Sequence, residues 1–206
     1  MAAVITTPTK TAQTDLFAWA NIASGTDSIG TAFDCSAVFA ASFHVKLGRL
    51  TSTAFTAGYP NIEIQVSTAT TGLDNWATIY AFQPTIGATI SATTGSASFA
   101  AGATTFTVTS ATNIAANDKL FLGDSSTANY ELADVLSVSS TTVTLNQAVV
   151  YNHATTQLVS DQAEQATPQL DLSSYMRVRA RVNNNGSGQG IKAQVKMTTL
   201  TNLSSI

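Results

Sequence analysis

Cysteine and histidine are the residue types best suited to nucleophilic or metal chemistry, and the chain has one cysteine, Cys35, and two histidines, His44 and His153. A catalytic thiol needs a base that holds it as the thiolate, and no recognisable signature surrounds Cys35. A metal site needs ligands that converge from separate strands, and the acidic residues nearest to the histidines, Asp34 and Asp161, are not at ligand spacing. We therefore expect a buried inert thiol, two structural or surface histidines, no catalytic, cofactor or metal site, and no enzymatic activity.

Four acidic residues are scattered through predicted loops in the middle of the chain: Asp118, Asp124, Glu131 and Asp134. A calcium loop needs a dense alternation of oxygen ligands, as in D-x-D-x-D-G, and the run that begins at Asp124 lacks that density. We expect no bound cation among these residues.

Three alternating glycines, Gly186, Gly188 and Gly190, superficially suggest a phosphate-binding loop. Such a loop must run from a strand into a helix, whereas strand-like residues follow here. Asn and Gly tolerate a positive φ, so residues 183–190 predict a hairpin connection between strands at 175–182 and 191–197.

Positive charge is concentrated near the C-terminus, where five of the nine cations fall within 20 residues: Arg177, Arg179, Arg181, Lys192 and Lys196. The arginines alternate along one predicted strand and share a face, and the two lysines are expected to extend this basic stripe from the hairpin partner. One interpretation is a solvated face with cross-strand pairs to acids such as Glu63. The other is a contact with an acidic partner surface, because arginine is enriched at protein interfaces.

Two tryptophans, Trp19 and Trp76, are most simply core or edge aromatics. Sugar-binding modules often expose such rings, so a carbohydrate-binding or adhesin-like module is an alternative function.

The composition narrows the class of protein. The chain has 206 residues, of which 44% are hydrophobic and only 10% are charged, with a net charge of −3. A disordered chain combines low hydrophobicity with high net charge, so we expect a folded protein. A nucleic-acid-binding protein needs a basic footprint, which this chain lacks. One cysteine excludes an intrachain disulfide framework and a cysteine-based zinc site.

The low charge has a second implication. A monomer kept soluble by charge repulsion carries more surface Lys, Glu and Arg, whereas here hydroxyl side chains replace them. Such a surface suits packing against copies of the same chain or against a scaffold. No run of about 18 to 20 uncharged apolar residues is present, and the N-terminus lacks the basic and apolar regions of a signal peptide, so no membrane association is expected.

Short alternating runs of Thr, Val, Ile and aromatic residues, punctuated by Gly, Asn, Asp and Ser, predict many short strands. The clearest runs are residues 43–47, 62–66, 76–82, 105–109, 175–182 and 191–197. The predicted fold class is all-β: an antiparallel, jelly-roll-like β-sandwich with an inserted small β-barrel-like module.

The predicted organisation is one module inserted in another. The two C-terminal strands are marginal alone and need the N-terminal strands as a partner for their apolar face. We therefore predict an N-terminal arm at 1–14, an outer sandwich formed by 15–84 plus 160–206, and an inserted module at 85–159.

The middle segment resembles a small β module that recurs in tailed-bacteriophage virion proteins. The residues that carry the resemblance are FTVTSATNIAANDKLFLG at 106–123, Glu131, VLSVSSTTVTL at 135–145 and VYNHA at 150–154. The family often has Gly where this chain has Asn113 and Asn117, and both residue types tolerate the left-handed turn conformation. Glu131 matches a glutamate of the module, for which a hydrogen bond that ties a turn is sufficient explanation.

The outer segments also resemble a phage β-sandwich, through QVS at 65–67, NWATIYAF at 75–82 and LDLSSYMRVRARVNNNGSG at 170–188. The resemblance implies a structural role in the virion, made in the host cytoplasm, with a capsid decoration or accessory head protein as the first expectation. A tail, neck or fibre component is the alternative within that class. The implied partners are other virion proteins, above all the major capsid protein, and further copies of the chain.

Overall fold

The computed structural model describes residues 9–51, 55, 58–72, 75–84, 92–123, 129–161 and 163–201. These residues form strands, turns and bends and contain no helix; accordingly, no helix in the described part could span a membrane. The seventeen strands are β1 Thr9–Lys10, β2 Thr14–Ile22, β3 Asp27–Ile29, β4 Phe33–Asp34, β5 Val38–Arg49, β6 Asn61–Ser67, β7 Ala77–Phe82, β8 Ala92–Thr94, β9 Thr105–Thr107, β10 Lys119–Leu122, β11 Glu131–Ser139, β12 Thr142–Leu145, β13 Leu158–Ser160, β14 Glu164–Ala166, β15 Gln169–Asp171, β16 Arg177–Asn183 and β17 Ile191–Thr201.

Eleven of these strands build a sandwich of two antiparallel sheets. In the first sheet, β17 lies between β5 and the pair β1 and β2, and β14 and β15 continue beyond β5. In the second sheet, β16 lies between β6 and the pair β3 and β4, and β7 continues beyond β6. The chain changes sheet at six of the ten connections between these eleven strands, as in a jelly-roll-like sandwich. The predicted fold class is confirmed.

Period-two alternation explains the sandwich core. In β5, Phe43, Val45 and Leu47 are fully buried, and in β16 so are Val178 and Ala180. Strand side chains point alternately to opposite faces, so each strand presents one apolar row to the facing sheet. The intervening residues of these strands face outward, and those of β16 include Arg177, Arg179 and Arg181.

The connection at 183–190 differs from the prediction. β16 and β17 do not pair; β16 belongs to the second sheet and β17 to the first, so the loop is a crossover and the predicted hairpin is wrong. Asn184 holds this loop, because its buried amide donates to the carbonyl oxygens of Ile22 at 3.0 Å and Gln189 at 2.8 Å. Gly186 and Gly188 are turn residues with φ of 93° and 73°.

The six strands of the middle segment pair with one another in the order β8-β13-β10-β11-β12-β9. An antiparallel bridge between Gly95 and Val108 joins the two ends of this order, together with a 2.8 Å hydrogen bond from the Thr109 amide to the Thr94 carbonyl. The sheet is therefore closed into a small barrel, as predicted. Its interior is an apolar cluster that includes Leu120, Val143 and Val159. Residues 85–91, the predicted start of the insertion, lie outside the described residues.

The barrel sits on the outer face of the first sheet, and we call this contact the seam. Phe121 of the barrel is fully buried, with its ring centroid 5.8 Å from that of Trp19 and 6.1 Å from that of Tyr130. Gly48 of β5 lies under this ring: a Cβ there would be 2.3 Å from the Phe121 side chain. The sequence therefore provides a glycine where the barrel approaches the sheet most closely.

The predicted N-terminal arm is partly bound by its own chain. β1 pairs with β17, and the Thr11 and Thr199 hydroxyl oxygens are 2.7 Å apart. Residues 9–11 of the arm are therefore held by the chain itself, because β17 offers them a free edge. Residues 1–8 lie outside the described residues.

Candidate functional site

The predicted basic stripe is divided between two sheets. Arg177, Arg179 and Arg181 lie on the outer face of the second sheet, where β16 pairs with β6. Lys192 and Lys196 lie on the outer face of the first sheet, because they belong to β17. The two lysines therefore do not extend the arginine face, and this part of the prediction is wrong. The alternation of β17 correctly marks them as outward-facing but does not specify which sheet contains the strand.

Each arginine of the stripe has partners within the chain. Arg177 donates to the carbonyl oxygens of Ala69 at 2.7 Å and Gly72 at 3.0 Å. Arg179 donates to the Gln65 side chain at 2.9 Å. Burial and the neighbouring Arg181 and Arg177 charges lower the pKa of Arg179 from its usual value.

Arg181 is the ion-paired member of the stripe. Its guanidinium contacts Asp27 at 2.6 Å and Glu63 at 3.4 Å. The hydrogen bond to Asp27 is the largest cause that raises the pKa of Arg181. The cross-strand pair with Glu63 considered from the sequence is therefore present, and each arginine of the stripe donates to a partner inside the molecule.

Trp76 is covered by this stripe. The guanidinium carbons of Arg177 and Arg179 lie 4.9 and 4.1 Å from the centroid of its ring, within the range of a cation–π contact. Trp19 packs at the seam against Phe121 and Tyr130. Both tryptophans are therefore engaged by other side chains.

Lys192 is 3% exposed and lies beneath the barrel. Its ammonium nitrogen is 3.6 Å from the centroid of the Tyr130 ring. The ring quadrupole attracts the ammonium group and offsets part of the hydration that the buried cation loses. Lys192 thus holds the seam together and is covered by the chain itself.

The predicted chemistry-bearing residues lie apart from one another. Cys35 is buried in the sandwich, where its thiol donates to the Tyr175 carbonyl at 3.5 Å, and burial raises its pKa to about 11. His44 lies on the outer face of the first sheet, and His153 lies in the barrel. No group of three or more His, Cys, Asp or Glu side chains in the described part is placed to hold a metal ion.

Glu131 and His153 form a buried pair that ties the barrel together. A Glu131 oxygen is 2.7 Å from His153 Nε2, and the carboxylate also accepts the backbone amides of Val150 at 2.9 Å and Tyr151 at 3.2 Å. Burial would raise the pKa of Glu131, but the hydrogen bonds from His153 and the two amides outweigh it, and the pKa lies below the usual value. The turn-tying role considered for Glu131 is confirmed.

The other acids of the barrel also serve turns and surface pairs. Asp118 accepts the Ala115 amide at 2.6 Å, and Asp134 pairs with Lys119. Asn113 and Asn117 have φ of 64° and 74°, so the turns expected from the resemblance are present. Asp124 lies outside the described residues.

A groove missed by the sequence analysis lies on the outer face of the first sheet, at the end away from the seam. It encloses about 390 Å³ and is lined by residues of β1, β5, β15 and β17, among them Lys10, Ser42, His44, Gln169 and Thr198. The outward positions of residues 42–46 gave a signal for one wall. The other walls come from β1, about 30 residues before β5, and from β15 and β17, more than 100 residues after it. Alternation does not encode how these segments are arranged.

Comparison with known proteins gives no family. No family model and no curated protein matches the chain. Among solved structures it is similar to the SPBc2 prophage-derived protein YomS, with 14% identity and a TM-score of 0.33, over 97% of this chain and 100% of that chain. It is also similar to a structure of infectious bursal disease virus Gt strain, with 9% identity and a TM-score of 0.26, over 94% of this chain and 42% of that chain. At this degree of overlap neither similarity carries an argument about function.

Proposed function

We propose that this chain is a structural component of a tailed-phage virion, and within it a capsid decoration or accessory head protein. The observation that carries the proposal is the barrel. The segment whose motifs resemble the phage-virion module folds as a closed unit and is held by the buried Glu131–His153 pair. Jelly-roll sandwiches, the architecture of the outer part, are common in viral capsid proteins.

The surface chemistry supports a role in packing. Closing a sheet into a barrel removes exposed strand edges, which limits uncontrolled pairing between neighbours. The chain has few charges, and the arginines of the second sheet are neutralised or stacked internally. Copies or neighbours therefore repel one another weakly.

The proposed partners are the major capsid protein and other copies of the chain. The N-terminal arm reaches the sandwich at β1, and its first residues are proposed to contact a neighbour. The face of Arg177, Arg179 and Arg181 is the proposed second contact. The guanidinium N–H groups that have no partner within the chain would make this contact. The protein is proposed to act without enzymatic activity, nucleic acid or membrane.

The direct test is to locate the chain in particles. Purified virions are analysed by mass spectrometry and labelled with an antibody against the chain for electron microscopy. Many copies on the head support the proposal. Label on the tail, neck or fibres supports the alternative position, and absence from purified particles rejects a virion role.

A carbohydrate-binding module is the second candidate, because jelly rolls also occur in lectins. The cover of Trp76 by two arginines weighs against it, since a sugar platform needs an accessible ring face. A glycan array separates the two: specific binding that Trp76→Ala abolishes, with the fold retained, favours the lectin function over the virion one.

A further inference from the structure

The outer face of the first sheet carries a row of polar and basic side chains that runs from the groove toward the seam. Phe43 and Val45 point into the core, so Ser42, His44 and Lys46 point outward. Alternate residues of a strand are about 7 Å apart, so this row spans about 13 Å.

The neighbouring strands widen this row. The register places Thr198 beside Ser42 and Lys196 beside His44. On the other side of β5, Gln169 lies beside Ser42. Lys10 of β1 lines the groove at its far end.

The cations of this face are less well paired than those elsewhere in the molecule. The nine cations all lie in the described residues, and among those residues the ammonium groups of Lys10 and Lys46 have no hydrogen bond, no carboxylate within 4.0 Å and no ring partner. Lys196 has Asp15 at 3.9 Å, a loose contact. Elsewhere Arg177, Arg179, Arg181 and Lys192 are held by carbonyls, acids or rings.

Lys46 has both positively and negatively charged neighbours. It lies between the groove and the seam and is partly buried. Burial, together with the nearby ammonium groups of Lys196 and Lys119, lowers its pKa from the usual value. Glu131 and Asp15 are near enough to oppose that shift but do not pair with it. A carboxylate brought to this position would relieve the repulsion among the three lysines.

We infer that this groove binds an extended, carboxylate-bearing segment of a partner protein. Side chains on one face of an extended peptide repeat about every 7 Å, which matches the spacing of His44 and Lys46. Ser42, Thr198 and Gln169 supply hydroxyl and amide groups for peptide hydrogen bonds, and Ala40 and Leu200 supply an apolar floor. Arginine and lysine contacts with carboxylates are the stronger class of hydrogen bond.

A nucleic acid fits this face less well. The chain carries a net charge of −3, and long-range attraction of a polyanion depends on a basic field. Among the described residues no aromatic ring lines the groove to stack a base, whereas single-strand binding sites use such rings. A short acidic segment needs only the local cations. The inference rests on the proposed function only for the source of the segment, a neighbouring protein of the particle.

The test titrates the purified full chain with a short oligoglutamate peptide and follows the backbone and His44 resonances by NMR. Shifts confined to the groove are expected, with affinity that falls as salt is added. The double variant Lys10→Gln, Lys46→Gln should weaken binding by at least about tenfold. Ser137→Glu, Ser139→Glu, which lowers the net charge by the same two units on an exposed strand of the barrel, is the matched control and should leave affinity unchanged. Thermal unfolding verifies that all variants are folded.

Several outcomes would overturn the inference: no groove shifts at millimolar peptide, equal weakening by Ser137→Glu, Ser139→Glu, or tighter binding of an oligothymidylate at the same residues. Concentration-dependent self-association that Lys46→Gln abolishes would assign the groove to a second copy instead. The titration uses the purified chain and needs no particle. If oligoglutamate binds but the chain is absent from virions, only the proposed function is rejected. If the chain is present in virions but oligoglutamate does not bind, only the groove inference is rejected.

Discussion

At the scale of single residues, Glu131 is the side chain with the most demanding environment. It sits at the start of β11 and accepts from the His153 ring and from two backbone amides on the segment that closes the barrel. The His153 ring is buried, and a buried polar group that loses its partner bears the cost of desolvation. One carboxylate therefore holds two distant segments of the barrel in register.

Glu131→Gln should lower the free energy of unfolding by about 1–3 kcal/mol, because the glutamine NH₂ group would face an amide donor and leave it unpaired. Urea denaturation followed by circular dichroism measures the loss. Asp134→Asn in the same strand is the matched control: its carboxylate is half exposed and pairs with Lys119 at the surface, so it should cost less than about 1 kcal/mol. Equal losses for the two variants would contradict the role of Glu131.

The same residue predicts acid sensitivity. The pKa of Glu131 is lower in the folded chain than in the unfolded chain, so the unfolded state binds more protons as the pH falls. The stabilisation is complete above the unfolded pKa and is lost as the pH drops through the folded pKa. Unfolding midpoints measured from pH 6 to pH 3 should therefore fall more steeply for the natural chain than for Glu131→Gln. The two curves should diverge below about pH 4.3. Parallel curves would contradict this assignment.

At the scale of elements, the seam depends on the close approach of β5 to the barrel. Gly48→Ala would place a Cβ 2.3 Å from Phe121 Cδ2, so the ring must move. Overpacking of this kind costs about 1–3 kcal/mol. We expect a lower unfolding midpoint and a red shift of Trp19 fluorescence, measured in a Trp76→Phe background.

Gly190→Ala is the control for the seam. A Cβ at Gly190 would have no neighbour closer than 3.6 Å, which is ordinary van der Waals contact. This variant should change neither the midpoint nor the Trp19 emission. A silent Gly48→Ala, or an equal effect of both variants, would show that the barrel is not seated on β5.

At the scale of the whole molecule, the strands on either side of the middle segment pair among themselves, and those of the middle segment pair among themselves. The insertion falls between β7 of the second sheet and β14 of the first, at a point where the jelly roll changes sheets. The barrel then folds back to cover Lys192 and Trp19 on the first sheet.

Replacing residues 84–161 with a flexible Gly/Ser linker should leave a folded sandwich, because no sandwich strand loses a pairing partner. It should be less stable than the full chain and more prone to association, because the deletion exposes the seat of Phe121. Dispersion of NMR resonances and sedimentation velocity measure the two effects. A disordered product would show that the two parts fold only as one unit.

The sequence by itself determined the all-β class and most strand positions, since alternation specifies which side chains of a strand leave the solvent. It also indicated the turns at Asn113 and Asn117 and the role of Glu131, because both depend on local backbone geometry and short motifs. These features require no knowledge of which strand lies opposite.

The tertiary structure alone decided what covers each face. Two strands show the same alternation whether they pair side by side or face each other across a core. The sequence therefore predicts a hairpin at 183–190, where the structure has a crossover between sheets. For the same reason the sequence could not place Lys192 under Tyr130 or Lys10 and His44 along one groove. These arrangements join separate segments of the chain. They are stabilised by the packing of the sheets, which a local sequence pattern does not predict.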